Sequence, residues 1–145
     1  MNQIPAIHAV MREIEDKLTA IPGTYVRTGF VQQHIKNLIK DKQLPALVLQ
    51  PGNDAPAQAI NDATKISREI NVAALVDTRD KDTVISRLDD LLYQMRSAIY
   101  VGHEETAKAS VALGPAKFDY PDPGEQVALV ETVFTLNYQE KWREE

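Results

Sequence analysis

The sequence predicts an α+β fold, a mainly antiparallel β-sheet with helices packed on one face, in a single domain spanning residues 1–145. Three observations carry that prediction. Residues 64–76 and 126–138 alternate apolar and polar side chains, as half-buried strands do. Residues 84–99 carry apolar side chains at three- and four-residue steps, the spacing of a helix with one buried stripe. The long strands each have one strongly apolar face, which helices gathered on one side of an antiparallel sheet would cover.

Taken in order, the first element is an amphipathic helix. Ile7, Val10, Met11, Ile14, Leu18 and Ile21 recur at helical spacing, with Arg12, Glu13, Glu15, Asp16 and Lys17 between them. Pro5 suits its first turn and Pro22-Gly23 stops it. Residues 25–30 read as a short strand. Val31, Ile35, Leu38 and Ile39 then mark a second, shorter helix. Residues 44–49 form an apolar strand closed by Pro51-Gly52; Pro45 lacks an amide donor, so it belongs at the strand's start or on a sheet edge. Residues 51–63, rich in Pro, Asn, Asp and Ala, read as an exposed, mobile connection.

In the long strand that follows, Ile66, Ile70, Val72, Ala74 and Val76 share one side, interrupted by Arg68. A charged loop over residues 77–82 ends at Asp82, a good cap for the next helix. The stripe of that helix is Val84, Ile85, Leu88, Leu91, Leu92, Met95 and Ile99, and Gly102 suits its C-terminal end. Residues 110–113 read as a short strand before Gly114-Pro115, and residues 119–124 as a turn-rich loop. The last strand points Ala128, Val130, Phe134, Leu136 and Tyr138 one way.

Composition narrows the chemistry. A chain of 145 residues can bury roughly 70% of its unfolded surface without metals or disulfides. The absence of cysteine excludes a disulfide scaffold, thiolate metal sites and thiol catalysis. A net charge of −5 argues against a general nucleic-acid binder. The N-terminal stretch lacks a signal-peptide core, and no apolar run approaches the ~20 residues of a membrane span. A soluble protein made in the cytoplasm, without membrane contact, is expected.

No motif assembles a catalytic site. His8 and His34 have no partner at metal-ligand spacing, and His103-Glu104-Glu105 lacks the second histidine of a helix-borne zinc motif. Asp77, Asp80 and Asp82 lack the turn glycine and distal glutamate of a calcium loop. Asp89-Asp90 are sequence neighbours whose carboxylates diverge on a helix, and Ser67, Ser86, Ser97 and Ser110 lack a nucleophile elbow. No enzyme activity, catalytic residue, cofactor or metal is expected. Charge is unevenly spread: residues 26–42 set Arg27, Lys36, Lys40 and Lys42 against Asp41, whereas residues 118–145 hold seven acids against Lys141 and Arg143. Either these are solvated faces, or the subunit is polarised so that its opposite ends attract copies of itself.

Four stretches, IHAVMREIEDKL, KQLPALVLQPG, REINVAALVDTRDKDTVISRLDDLLYQMRSAIY and FDYPDPGEQVALVETVFTLNYQEKW, carry a family resemblance in their order along the chain. Together they resemble the lambda-type tail terminator proteins of long-tailed bacteriophages, the minor tail protein U family. The chain departs from that pattern at residues 24–43, longer and more helical here, and at 101–117.

The resemblance implies a virion structural protein, assembled in the host cytoplasm and placed at the head-proximal end of the tail. Family members form a homohexameric ring on the last ring of the tail tube protein, halt tube polymerisation and offer a surface to the neck or connector protein. DNA passes through the lumen without sequence-specific binding, and six acidic subunits would repel its phosphates. No individual functional residue carries over from the family. Subunit and tube contacts are expected on loops, at Asn53, Asp54, Asp77, Arg79, Asp80, Lys81, Asp119 and Asp122. Arg79 and Lys81 are either partners for a neighbour's acids or solvated loop charges. Alternatives are another neck or tail-completion protein of related fold and, from a different class, a small-molecule or peptide-binding α+β module.

Overall fold

The periodic segments fold as the elements they predict. A computed structural model describes residues 4–60, 62–100, 109–122 and 124–142. The chain runs α1 (Ala6–Thr19), β1 (Tyr25–Thr28), α2 (Val31–Lys40), β2 (Ala46–Ile60), β3 (Ala63–Asp77), a 3-10 turn (Lys81–Thr83), α3 (Val84–Tyr100), β4 (Ser110–Asp119) and β5 (Val127–Lys141). The strands form one sheet in the order β1-β2-β3-β5-β4, antiparallel except for the parallel β1–β2 pair. This is an α+β fold with a mostly antiparallel sheet. Gly102 and His103-Glu104-Glu105 lie outside the described residues. Among those described, no helix is long and apolar enough to cross a membrane.

The strands sort their side chains by parity. Leu47, Leu49, Ile70, Val72, Ala74, Val76, Ala128, Val130, Phe134 and Leu136 meet α1 and α3 in the main core. The intervening Ala46, Val48, Ala73, Leu75 and Leu129 pack with Val31 and Leu38 of α2 in a second, smaller core. The helices therefore do not share one face: α1 and α3 take one side, α2 the other. Topology supplies the reason. The β1–α2–β2 and β3–α3–β4 connections both link parallel strands and both step the same way across the sheet, but their strands point in opposite directions. Crossovers are nearly always right-handed, and two of the same hand with reversed strands must lie on opposite faces.

Residues 51–60 are not a loop. They extend β2 into a long hairpin with β3, registered from Ala46↔Leu75 to Ile60↔Ala63, with irregularities between Pro51 and Asp54 and between Pro56 and Gln58. The prolines and polar residues that suggest a connection are those tolerated on a free, interrupted edge. Here β1 stops at Thr28↔Leu49, so among the described residues β2 has no outer partner beyond that point. Likewise β4 continues through Gly114-Pro115 with a register shift between Leu113 and Ala116. A Cβ on Gly114 would lie 2.6 Å from the Val133 carbonyl oxygen, so the glycine allows close strand approach rather than ending the strand.

Two smaller expectations also change. Asp82 sits within the 3-10 turn, and no side-chain cap forms at its start. Ile85 is 57% exposed and stands outside the buried stripe of Val84, Leu88, Leu91, Leu92, Met95 and Ile99. Pro45 precedes β2, consistent with its missing donor, and its carbonyl accepts the Tyr25 amide at 3.1 Å.

Candidate functional site

The β3–β5 register pairs Asp77 with Val127, so the loop leaving β3 and the loop entering β5 meet at one end of the sheet. Thr78 joins them: its amide donates to the Gln126 carbonyl at 3.2 Å and its hydroxyl to the Glu125 carbonyl at 2.9 Å. Asp119, the last residue of β4, pairs with Leu129 at the same end. Six of the eight predicted interface residues, Asp77, Arg79, Asp80, Lys81, Asp119 and Asp122, therefore belong to this end or the loops that leave it. Asn53 and Asp54 do not. Asp54 pairs with Arg68, nine positions from Asp77 along β3. At strand rise that separation is about 30 Å.

The loop after β3 is held by a residue that the sequence reading passed over. Arg87, on the first turns of α3, donates through Nη2 to the carbonyls of Asp77 at 2.8 Å and Asp80 at 3.4 Å. Its Nε donates to Thr83 Oγ1 at 3.0 Å, and Nη1 lies 3.7 Å from Asp77 Oδ2. Arg79 closes the other side of the Asp77 carboxylate, its amide 3.2 Å and its Nε 3.4 Å from Oδ1. Partial burial pushes the Asp77 carboxyl up, but the Arg79 amide and guanidinium and the Arg87 charge outweigh it and hold the group below its ordinary value. The Arg79 side chain is 91% exposed, so its ion pair adds little stability and its charge faces outward. The signal for Arg87 was its position four residues after Thr83, one helical turn, facing the loop that precedes the helix.

Beside this loop lies an open cleft of about 280 Å³, formed by Ile39, Lys42 and Leu44 from the α2 side with Asp77, Arg79 and Gln126. Lys42 adopts a left-handed backbone (φ 55°) as the chain turns from α2 toward β2. The basic stretch 26–42 thus ends next to the acidic loops rather than at the far end of the subunit. The polarised arrangement inferred from charge does not hold there.

Asp54 belongs to a different setting. On the side of the sheet that carries α1 and α3, it stands across from Arg68, near Tyr138 and Glu140. Burial pushes the Tyr138 hydroxyl up, Arg68 pulls against it, and the charges of Asp54 and Glu140 push the same way as burial. Glu140 is itself buried, and its Oε2 accepts the Ala6 amide at 2.9 Å, capping the start of α1 from another element. His34 Nε2 lies 3.2 Å from the Thr28 carbonyl, a local contact between α2 and β1. Among the described residues no group of three or more His, Asp or Glu side chains is placed to hold a metal ion. The sequence matches no protein-family model and no curated protein.

Proposed function

We propose that this chain is a structural virion protein, a tail terminator that forms a ring on the end of the tail tube, stops its polymerisation and provides the surface to which the neck or connector joins. The order of the four sequence stretches supports this reading. So does the loop-bearing end of the sheet, the observation that carries most weight. Arg87 holds the backbone at Asp77 and Asp80 and the Thr83 side chain, so Arg79 and Lys81 project from a braced loop that has less backbone ordering cost on contact. Asp119 ends β4 and Asp122 lies on its connection to β5, so the basic side chains on the loop after β3 of one copy would meet these acids of the next. Association through unlike loops of successive subunits is heterologous, and closes into a ring where the rotation permits.

The partners are other copies of the chain, the tail tube protein and the neck or connector protein. DNA crosses the lumen without sequence-specific binding, and the −5 charge of each subunit discourages adhesion of phosphate. The protein resides at the head-proximal end of the tail, carries no catalytic centre and needs no cofactor. Light scattering with and without purified tail tubes tests the reading. A closed ring alone or on tube ends supports it; a strict monomer under both conditions, at high concentration, contradicts it. A second reading, another neck or tail-completion protein, shares the assembly chemistry and differs in binding connector but not tube. The cleft beside Lys42 favours a small-molecule or peptide-binding module less, because the Asp77 carboxylate on its wall is already engaged by Arg79 and Arg87.

A further inference from the structure

We propose that α3 is the seat of an isologous two-fold contact between copies of this chain, separate from the ring contacts at the loop end. Exposed large apolar side chains gather along its outer face: Ile85 is 57% exposed, Tyr93 74% and Tyr100 44%. Leu113 of the edge strand β4, 46% exposed, extends the patch sideways. Between α3 and β4 runs a groove of about 420 Å³ that Tyr93, Arg96, Tyr100 and Leu113 line. Tyrosine and arginine are the residues enriched at interface centres.

The order of residues on this face identifies the occupant. At 100° per residue, Ile85, Asp89, Tyr93, Arg96 and Tyr100 fall within an arc of about 80°, over a length of about 22 Å. Turn a second copy of α3 antiparallel about a point between Leu92 and Tyr93, and each residue meets its complement. Ile85 faces Tyr100 of the second copy and Asp89 faces Arg96, each pair occurring twice, with Tyr93 beside the axis. A parallel arrangement would instead set Asp89 against Asp89 and Arg96 against Arg96.

Self-complementarity of this kind is what a two-fold interface requires. Among the described residues no hydrogen bond or ion pair engages the exposed Asp89 carboxylate within its own subunit. Arg96 donates from Nη2 to the Gly114 carbonyl at 3.1 Å, which braces the guanidinium across the groove. The contact joins two subunits, or two rings face to face where rings exist, so it does not depend on the terminator reading.

Charge reversal tests it with the full chain. Asp89→Arg and Arg96→Asp each set like charges together twice per contact, and each should weaken self-association by at least ~10-fold and halve the particle mass. Mixing the two variants restores both unlike pairs and should restore the mass. Tyr93→Asp, at the centre of the contact, halves it too and covers the case in which loss of the Gly114 bond unfolds Arg96→Asp. Circular dichroism melts check folding. A wild-type mass that none of these substitutions changes, or Asp89→Arg and folded Arg96→Asp chains that stay at half mass when mixed, overturns the proposal. Halving from dimer to monomer and halving from double to single ring are told apart by the starting mass, so failure of the ring leaves this test intact.

Discussion

Arg87 links three backbone or side-chain oxygens of one loop to the first turns of α3, which makes it the residue on which the loop end most depends. Arg87→Met keeps much of the apolar stem and removes the guanidinium. The partly buried Asp77 carbonyl and the exposed Asp80 carbonyl then lose a charged donor, at a cost of about 1–3 kcal/mol carried mainly by the first. The urea midpoint should fall accordingly, and hydrogen exchange should accelerate at residues 78–83 more than in β3. Asp77 gives a pH signature at the same spot. Its folded value lies below the ordinary 3.8, so the stabilisation it contributes is present above that pH and is lost as pH falls through the lowered folded value. In Asp77→Asn that acid-dependent loss disappears. Wild type and variant should therefore converge in stability as pH falls through that lowered value and differ most at neutral pH, as parallel urea titrations would read.

Elements were legible where burial on a single face dictates periodicity. The stripe of α1 and the alternate residues of β3 and β5 that meet it line the main core, whereas Ala73, Leu75 and Leu129 at intervening positions belong to the second. The extension of β2 was not legible, because residues 51–60 have the composition of a loop and owe their strand to the β3 ladder beside them. A free edge permits the prolines that disqualify a central strand. Six interface residues were brought together because two loops flank one β3–β5 pairing, which spacing along the chain does not reveal; Asn53 and Asp54 were mistaken for loop residues by the same error as their segment. Ile85 failed for a simpler reason. It falls just outside the arc of about 100° that Leu91, Val84, Met95, Leu88, Ile99 and Leu92 span on the helix, so its side chain turns to the margin of the buried stripe. At this scale the clearest prediction concerns α1. Glu140, far away in sequence, supplies the acceptor that Pro5 at the helix start cannot. Glu140→Ala should lower stability by about 1 kcal/mol and increase exchange in the first turn of α1, while Glu140→Gln retains most of it. Equal loss in both variants would show that charge, not the hydrogen bond, is what α1 needs.

For the whole molecule, a sheet covered by helices on both sides leaves its edges and loop ends for association. The free edges are blunted: β2 beyond Leu49 carries Pro51 and Pro56 at irregularities, and β4 carries Pro115 and Lys117 beside its register shift. Such edges resist strand-to-strand addition. Contacts between copies are therefore expected through side chains, at the charged loop end for the ring and along α3 for the two-fold pairing. Arg79→Glu combined with Lys81→Glu should weaken ring closure at least ~10-fold while leaving the melting temperature within a few degrees, because both side chains are exposed. Light scattering on that variant, beside the α3 charge reversals, separates the two surfaces. Tail termination is tested most directly by electron microscopy of particles assembled without this protein, with tail length and head attachment measured. Overlong, headless tails are the predicted result; tails of normal length joined to heads would contradict the account.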